Sequence, residues 1–176
     1  MSYWLIELPI DTAPATNAEH EYLAKIETAI KQSGATIVDQ QASQSAGQLF
    51  VVAEAPTGTE IGKALDNAGL THTAPASVRL VGATPQELIE KRSESRWLVE
   101  WDLPEGLTME QYLERKAANS PKYAEVPEVA FQRTWVREDM AKCLCFYDGP
   151  DEDAIRTARE VVGAPVDRLH ALEAES

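Results

Sequence analysis

The sequence predicts an α+β protein built from two copies of one βαββαβ unit, and three observations predict it. A shift of about ninety-four residues lays short motifs of the chain over one another. Capping boxes stand at matching places ahead of apolar helical stripes. Paired runs of strand-forming residues, split by turn residues, follow each helix. With 176 residues, 44% of them apolar, the chain is long enough for two small cores that need no covalent staples.

Trp4-Leu5-Ile6-Glu7 answers Trp97-Leu98-Val99-Glu100, and Leu8-Pro9 answers Leu103-Pro104, so each copy opens on a strand. Thr16-Asn17-Ala18-Glu19 and Thr108-Met109-Glu110-Gln111 then start a helix each, with a hydroxyl first and Glu or Gln three residues later. Leu23, Ile26 and Ile30 share a face of the first helix, which Gly34 stops; Met109, Tyr112 and Leu113 do so in the second, which ends near Ser120-Pro121. Hairpins are predicted from residues 36–41 with 48–53 and from 130–136 with 142–147. The next helices carry Ile61, Ala64, Leu65 and Ala68 in one copy and Ile155, Ala158 and Val162 in the other, closed by Gly69 and Gly163. The last strands contain Arg79-Leu80 and Arg168-Leu169. Between the copies, Thr84-Pro85 and Glu87 begin a short helix. Strand, helix, hairpin, helix, strand is the ferredoxin-like order, so the domains read as residues 1–82, a helical linker at 83–95, and residues 96–176.

A lone unit of this kind covers one sheet face with helices and leaves the other to water, so its strands should alternate apolar and polar. These central strands do not. Leu49, Val51 and Ala53 face opposite to Phe50 and Val52, and Cys143, Cys145 and Tyr147 opposite to Leu144 and Phe146. Both faces are therefore expected to be buried, with the two sheets packed face to face as a pseudo-dimer around a cleft. The chain is expected to be a monomeric pseudo-dimer or a homodimer.

Sixteen Lys and Arg against 29 Asp and Glu leave a net charge of -13, which repels nucleic-acid phosphates and anionic lipid, so neither is an expected partner. No apolar run approaches the roughly twenty residues of a membrane span, and the amino-terminal residues lack the pattern of a secretory leader, so a cytoplasmic location is expected. The two cysteines, Cys143 and Cys145, point the same way from one strand, a poor geometry for bridging, and read as reduced thiols. The run Gly58 to Ala64 lacks one spacer residue and the hydroxyl of a phosphate loop.

The second half also resembles a known family. The motifs are Leu98-Val99-Glu100, Leu103-Pro104-Glu105-Gly106-Leu107-Thr108, Thr134-Trp135-Val136 where the family tends to have Ser-Tyr-Val, and Cys145-Phe146-Tyr147-Asp148-Gly149-Pro150-Asp151. Ala154-Ile155-Arg156 and the run Gly163-Ala164-Pro165-Val166-Asp167-Arg168 extend the likeness. Together they resemble a small bacterial ferredoxin-like family, a domain of unknown function whose best-known member is described as nickel-binding. The resemblance implies a ferredoxin-like fold, commonly dimeric through its sheet, with the second copy here standing in for the partner. It also raises nickel, although the family's second helix usually carries a histidine where this chain has Ala158. The first half resembles the family only through the internal repeat.

Polar residues on shielded strands are the informative exceptions. Glu7 and Glu100 hold matched places on the first strands, where a carboxylate needs a partner, and Arg79 and Arg168 on the neighbouring strands are the natural ones. The pair reads either as a structural ion pair or as part of a site in which Glu100 acts as a base beside Arg133 and Arg168. The expected ligand-binding set is Glu100, Trp101, Arg133, Trp135, Cys145, Tyr147 and Arg168. Cys143 and Cys145 are the candidate metal ligands, and no cofactor is predicted. Three functions fit: a module binding a small ligand or a metal ion, a cofactor-independent enzyme working in the cleft, and a scaffold whose seam is filled.

Overall fold

The computed structural model describes residues 1–11 and 17–173, in two compact units, Met1–Val78 and Arg79–Ser176. The first holds β1 (Ser2–Pro9), α1 (Asn17–Gln32), β2 (Thr36–Ser43), β3 (Gln48–Ala55), α2 (Thr59–Asn67) and the start of β4 (Ala76–Val81). The second holds α3 (Pro85–Lys91), β5 (Trp97–Asp102), α4 (Met109–Asn119), β6 (Ala130–Arg137), β7 (Lys142–Asp148), α5 (Glu152–Val161) and β8 (Arg168–Ala171). The strands run antiparallel in the orders β2-β3-β1-β4 and β6-β7-β5-β8. Each is a ferredoxin-like sheet, so the chain is an α+β tandem duplication.

The likeness of the copies extends to details that no motif displays. Trp4 stands opposite Ala53, and Trp97 opposite Tyr147. Each indole N–H donates to the carbonyl at the end of the next strand, Trp4 to Ala55 at 3.2 Å and Trp97 to Gly149 at 3.0 Å. Each hairpin slips register at the same repeat position, between Ile37 and Asp39 and between Phe131 and Arg133. An extra residue at such a bulge turns the following side chains to the other face of the sheet. Gly69 and Gly163, at φ +72 and +70, take the left-handed conformation that ends α2 and α5.

The helix starts follow the capping chemistry. Thr108 accepts from the Gln111 amide at 3.2 Å while Gln111 accepts from the Thr108 amide at 3.0 Å, and Thr84 and Glu87 make the same exchange ahead of α3. The cap expected at Thr16 lies outside the described residues. Pro121 follows α4, and the chain continues as a tight 3₁₀ segment, Ser120–Glu125, that the sequence pattern did not announce. No helix among the described residues is long and apolar enough to cross a membrane.

On its helix side each sheet has its own apolar core. Ile6, Leu8, Leu49, Val51, Ile26, Ile30, Ile61 and Leu65 form the first; Val99, Trp101, Cys143, Cys145, Tyr147, Tyr112, Ile155 and Ala158 belong to the second. The opposite faces are also buried, at Leu5, Phe50 and Val52 and at Leu98, Trp135, Leu144 and Phe146. This is the two-sided burial that the unalternating strands predict.

Replacing Trp97 with Phe keeps most of the ring packing and removes the only donor that this side chain offers to Gly149. A loss of about 1 kcal/mol in urea unfolding is expected; an unchanged midpoint and slope would show that the bond does not hold the corner.

Candidate functional site

Strand alternation splits the residues expected to share one site. Trp101, Cys145 and Tyr147 belong to the helix-side core of the second unit. Glu100, one residue before Trp101 on β5, faces the other way, together with Arg168, its register partner on β8. The bulge in β6 sends Arg133 and Trp135 to that same face, with Arg133 opposite Phe146 and Trp135 opposite Leu144. The single constellation of seven is therefore corrected to two, one on each side of the sheet.

On the face away from the helices, Glu100 is only 4% exposed and receives three donors: Lys142 Nζ at 2.7 Å, Arg168 Nε at 2.8 Å and His170 Nε2 at 2.7 Å. Burial alone would push its carboxyl up, but the hydrogen bonds from His170, Lys142 and Arg168 outweigh that and bring it down to about 2. Such a carboxylate is a fixed anion and a weak base. The geometry favours the ion-pair reading of Glu100 over the catalytic one. Arg168 also grips Asp102 with two bonds, at 2.9 and 2.6 Å. Arg133, fully buried, donates to Ser95 Oγ at 2.9 Å and lies 4.3 Å above the Phe146 ring. Arg79, expected to bond Glu7 in two places, makes its two-bond pair with Glu138, at 3.0 and 3.1 Å.

On the helix side the chemistry is different. The Cys143 and Cys145 sulfurs lie 4.0 Å apart, and Cys145 Sγ accepts from Thr134 Oγ1 at 3.3 Å and from Arg159 Nη1 at 3.4 Å. The Cys143 thiol, shared with its neighbour, holds Cys145 well below the ordinary thiol range despite complete burial, and Arg159 and Lys116 add to the effect. The same sharing, with burial, raises Cys143. Tyr147 accepts from Arg159 Nη1 at 3.0 Å and its hydroxyl lies 2.6 Å from that of Tyr123.

Arg159 organises this cluster, and the sequence reading passed over it. It sits on α5 in the stripe Ile155, Ala158, Arg159, Val162, where spacing marks every position as core. It is 2% exposed, and its Nη2 donates to the Pro165 carbonyl at 2.6 Å. Its Nε has no hydrogen-bond partner among the described residues. The available signal was a charged residue inside an apolar helical stripe, which requires a counter-charge or a ligand.

The repeat shows how specific the cluster is. At the ninety-four-residue shift, Cys143, Cys145, Tyr147 and Arg159 correspond to Leu49, Val51, Ala53 and Leu65. All four of those residues lie in the apolar core of the first unit. The second copy carries thiols, a phenol and a guanidinium where the first carries hydrocarbon.

Above the cluster lies a cavity of about 40 Å³ bounded by Trp101, Tyr112, Arg115, Lys116, Tyr123 and Arg159. That is room for about three waters, in a setting with abundant polar partners. Arg115 and Arg159 lie 5.9 and 6.0 Å from the Trp101 ring centre. A wider groove, about 660 Å³, runs between α1 and α2 of the first unit, but its charges, such as those of Lys63 and Glu60, are exposed.

Glu100 also bears on stability. Its folded value lies below the ordinary 4.5, so its contribution is complete above about pH 4.5 and is lost as pH falls toward 2. Glu100→Gln leaves two cations and a histidine facing an amide, and a loss of about 3 kcal/mol near neutral pH is expected. The variant should also show a flatter stability profile between pH 5 and about 2; parallel profiles would remove the ion pair from the account.

Residues 97–172 match the model of the family described as nickel responsive protein SCO4226-like, the same half of the chain in which the motifs lie. No curated protein matches the chain. Among solved structures, a candidate chlorite dismutase is similar at TM-score 0.58 and 10% identity, over 98% of this chain and 95% of that one. A candidate monooxygenase from Lactobacillus acidophilus NCFM is similar at TM-score 0.50 and 10% identity, over 98% and 92%. At such identity the likeness is one of fold. The chain is thus a duplicated ferredoxin-like protein whose second copy is similar to the SCO4226-like nickel-responsive family.

Proposed function

We propose that the second unit is a small-ligand binding module whose site is the cavity over Cys145 and Arg159. The observation that carries this reading is the exchange of four apolar core positions of the first copy for Cys143, Cys145, Tyr147 and Arg159 in the second. A purely structural core has no need of that exchange, because well-packed apolar residues at such places are as stable or more so. The open cavity beside these groups supports binding over a filled scaffold seam. The low value of Glu100 removes support from the enzyme reading, which needed it as a base.

A nickel ion does not fit this donor set. The two thiols are joined by no third donor: among the described residues no group of three or more His, Cys, Asp or Glu is placed to hold a metal. The group on Cys145 is instead the Arg159 guanidinium, which has no lone pair to offer and repels a cation. Ala158 stands where the resembling family carries histidine, and its side chain is fully buried in the core.

Native mass spectrometry of untreated protein should show a small-molecule adduct or, after exchange into volatile buffer, one regained on adding cell extract. Adducts that persist unchanged when Cys145 and Arg159 are replaced would place binding elsewhere and overturn the reading. Calorimetric titration of the metal-free chain with nickel or zinc should give no stoichiometric binding; a one-to-one isotherm abolished by Cys145→Ser would restore the metal.

A further inference from the structure

We propose that the ligand of this cavity is an oxyanion group, such as a phosphate or carboxylate, held by Arg159, Arg115 and Lys116. The proposal rests on the small-ligand reading above and names the chemistry of the occupant.

The first argument is the unused donor. A guanidinium has five N–H groups in a rigid fork, and removing one from water without an acceptor carries its full desolvation penalty. Arg159 satisfies Nη1 with Cys145 and Tyr147 and Nη2 with Pro165, yet its Nε is buried and unpartnered among the described residues. The side chain lines the cavity. The acceptor a guanidinium takes best is a charged oxygen, since such bonds are about twice as strong as neutral ones.

The second argument is charge. The chain carries -13 overall, yet the described residues lining this cavity include Arg115, Lys116 and Arg159 and no Asp or Glu. Three cations gathered in an acidic protein concentrate anions at one place that the rest of the surface repels. The phenol of Tyr123 stands on the same lining and can donate to the same oxygens.

The third is size. About 40 Å³ of space, room for about three waters, admits a small charged group and excludes a broad aromatic ring, so the group is either a free inorganic anion or the charged end of a molecule whose body extends outward past α4. Arg115 is exposed at that mouth and Lys116 half-buried. The Cys145 sulfur bonded to Arg159 marks the inner limit of the site, and an anion in the cavity shares the guanidinium with it.

The test is calorimetric titration of the full chain, at constant ionic strength, with phosphate, sulfate and acetate, and with acetamide as the neutral isostere of acetate. One saturable site for at least one of the anions is expected, with acetamide silent. Phosphate and sulfate binding without acetate identifies a tetrahedral anion, and the reverse a carboxylate. The double variant Arg115→Gln with Lys116→Gln alters the cavity mouth and should unfold at the wild-type temperature while binding weakens about tenfold or more. In ¹⁵N spectra of the wild type, the Arg159 Nε–H signal should move on titration. Saturable binding that the double variant leaves unchanged, with the Arg159 signal still, would overturn the assignment. Acetamide binding in place of the anions would sink the oxyanion and leave the small-ligand module standing; binding of none of the four to the cavity would sink the oxyanion, and the module too if native mass spectrometry also shows no adduct.

Discussion

A full positive charge in the helix-side core of the second unit is the constraint around which that unit is arranged. Arg159 projects from α5 into a stripe that its neighbours Ile155, Ala158 and Val162 mark as apolar. Its charge is tolerated there because Cys145, Tyr147 and the Pro165 carbonyl lie within bonding distance. Each of those partners depends on something else. Cys145 is held by Cys143 and Thr134, Tyr147 by Tyr123, and Tyr123 arrives only because the chain after α4 tightens into a 3₁₀ turn. A network of this sort fixes one arrangement of side chains, since any alternative leaves a buried polar group without a partner.

The first unit shows what the same backbone does without that charge. Its sheet order, its hairpin bulge, its indole-to-carbonyl bond and its left-handed glycine all recur. Leu49, Val51 and Leu65 fill the equivalent space with hydrocarbon, each nearly or fully buried. Hydrophobic burial and backbone hydrogen bonding are therefore enough for this fold, and the polar cluster is an addition to it. Duplication followed by divergence at a few core positions separates the scaffold from the chemistry within one chain.

The opposite face of the second sheet carries a second polar system with another purpose. Glu100, Lys142, Arg168 and His170 satisfy one another at 2.7–2.8 Å, and Asp102 extends the network to the exposed edge. Lys142, Arg168 and His170 each donate to the one Glu100 carboxylate, which makes an ion cluster rather than a reactive group. That distinction between a satisfied cluster and one with an unused donor is what separates Glu100 from Arg159 as a candidate for function.

The sequence by itself determined the duplication, the order of strands and helices, the helix caps at Thr84 and Thr108 and the burial of both strand faces. These are local or periodic properties: a capping box acts over three residues, a helical stripe over seven, and an apolar run declares burial without reference to what covers it. It also showed Trp101, Cys143, Cys145 and Tyr147 of the second copy departing from their counterparts in the first. Only the tertiary structure decided which of these residues meet. One extra residue at Gln132 turns Arg133 and Trp135 away from the face that simple alternation gives them, and no propensity announces it. Arg159 joins Cys145 across fourteen residues through the packing of α5 on β7, a contact set by three-dimensional neighbours and not by spacing along the chain.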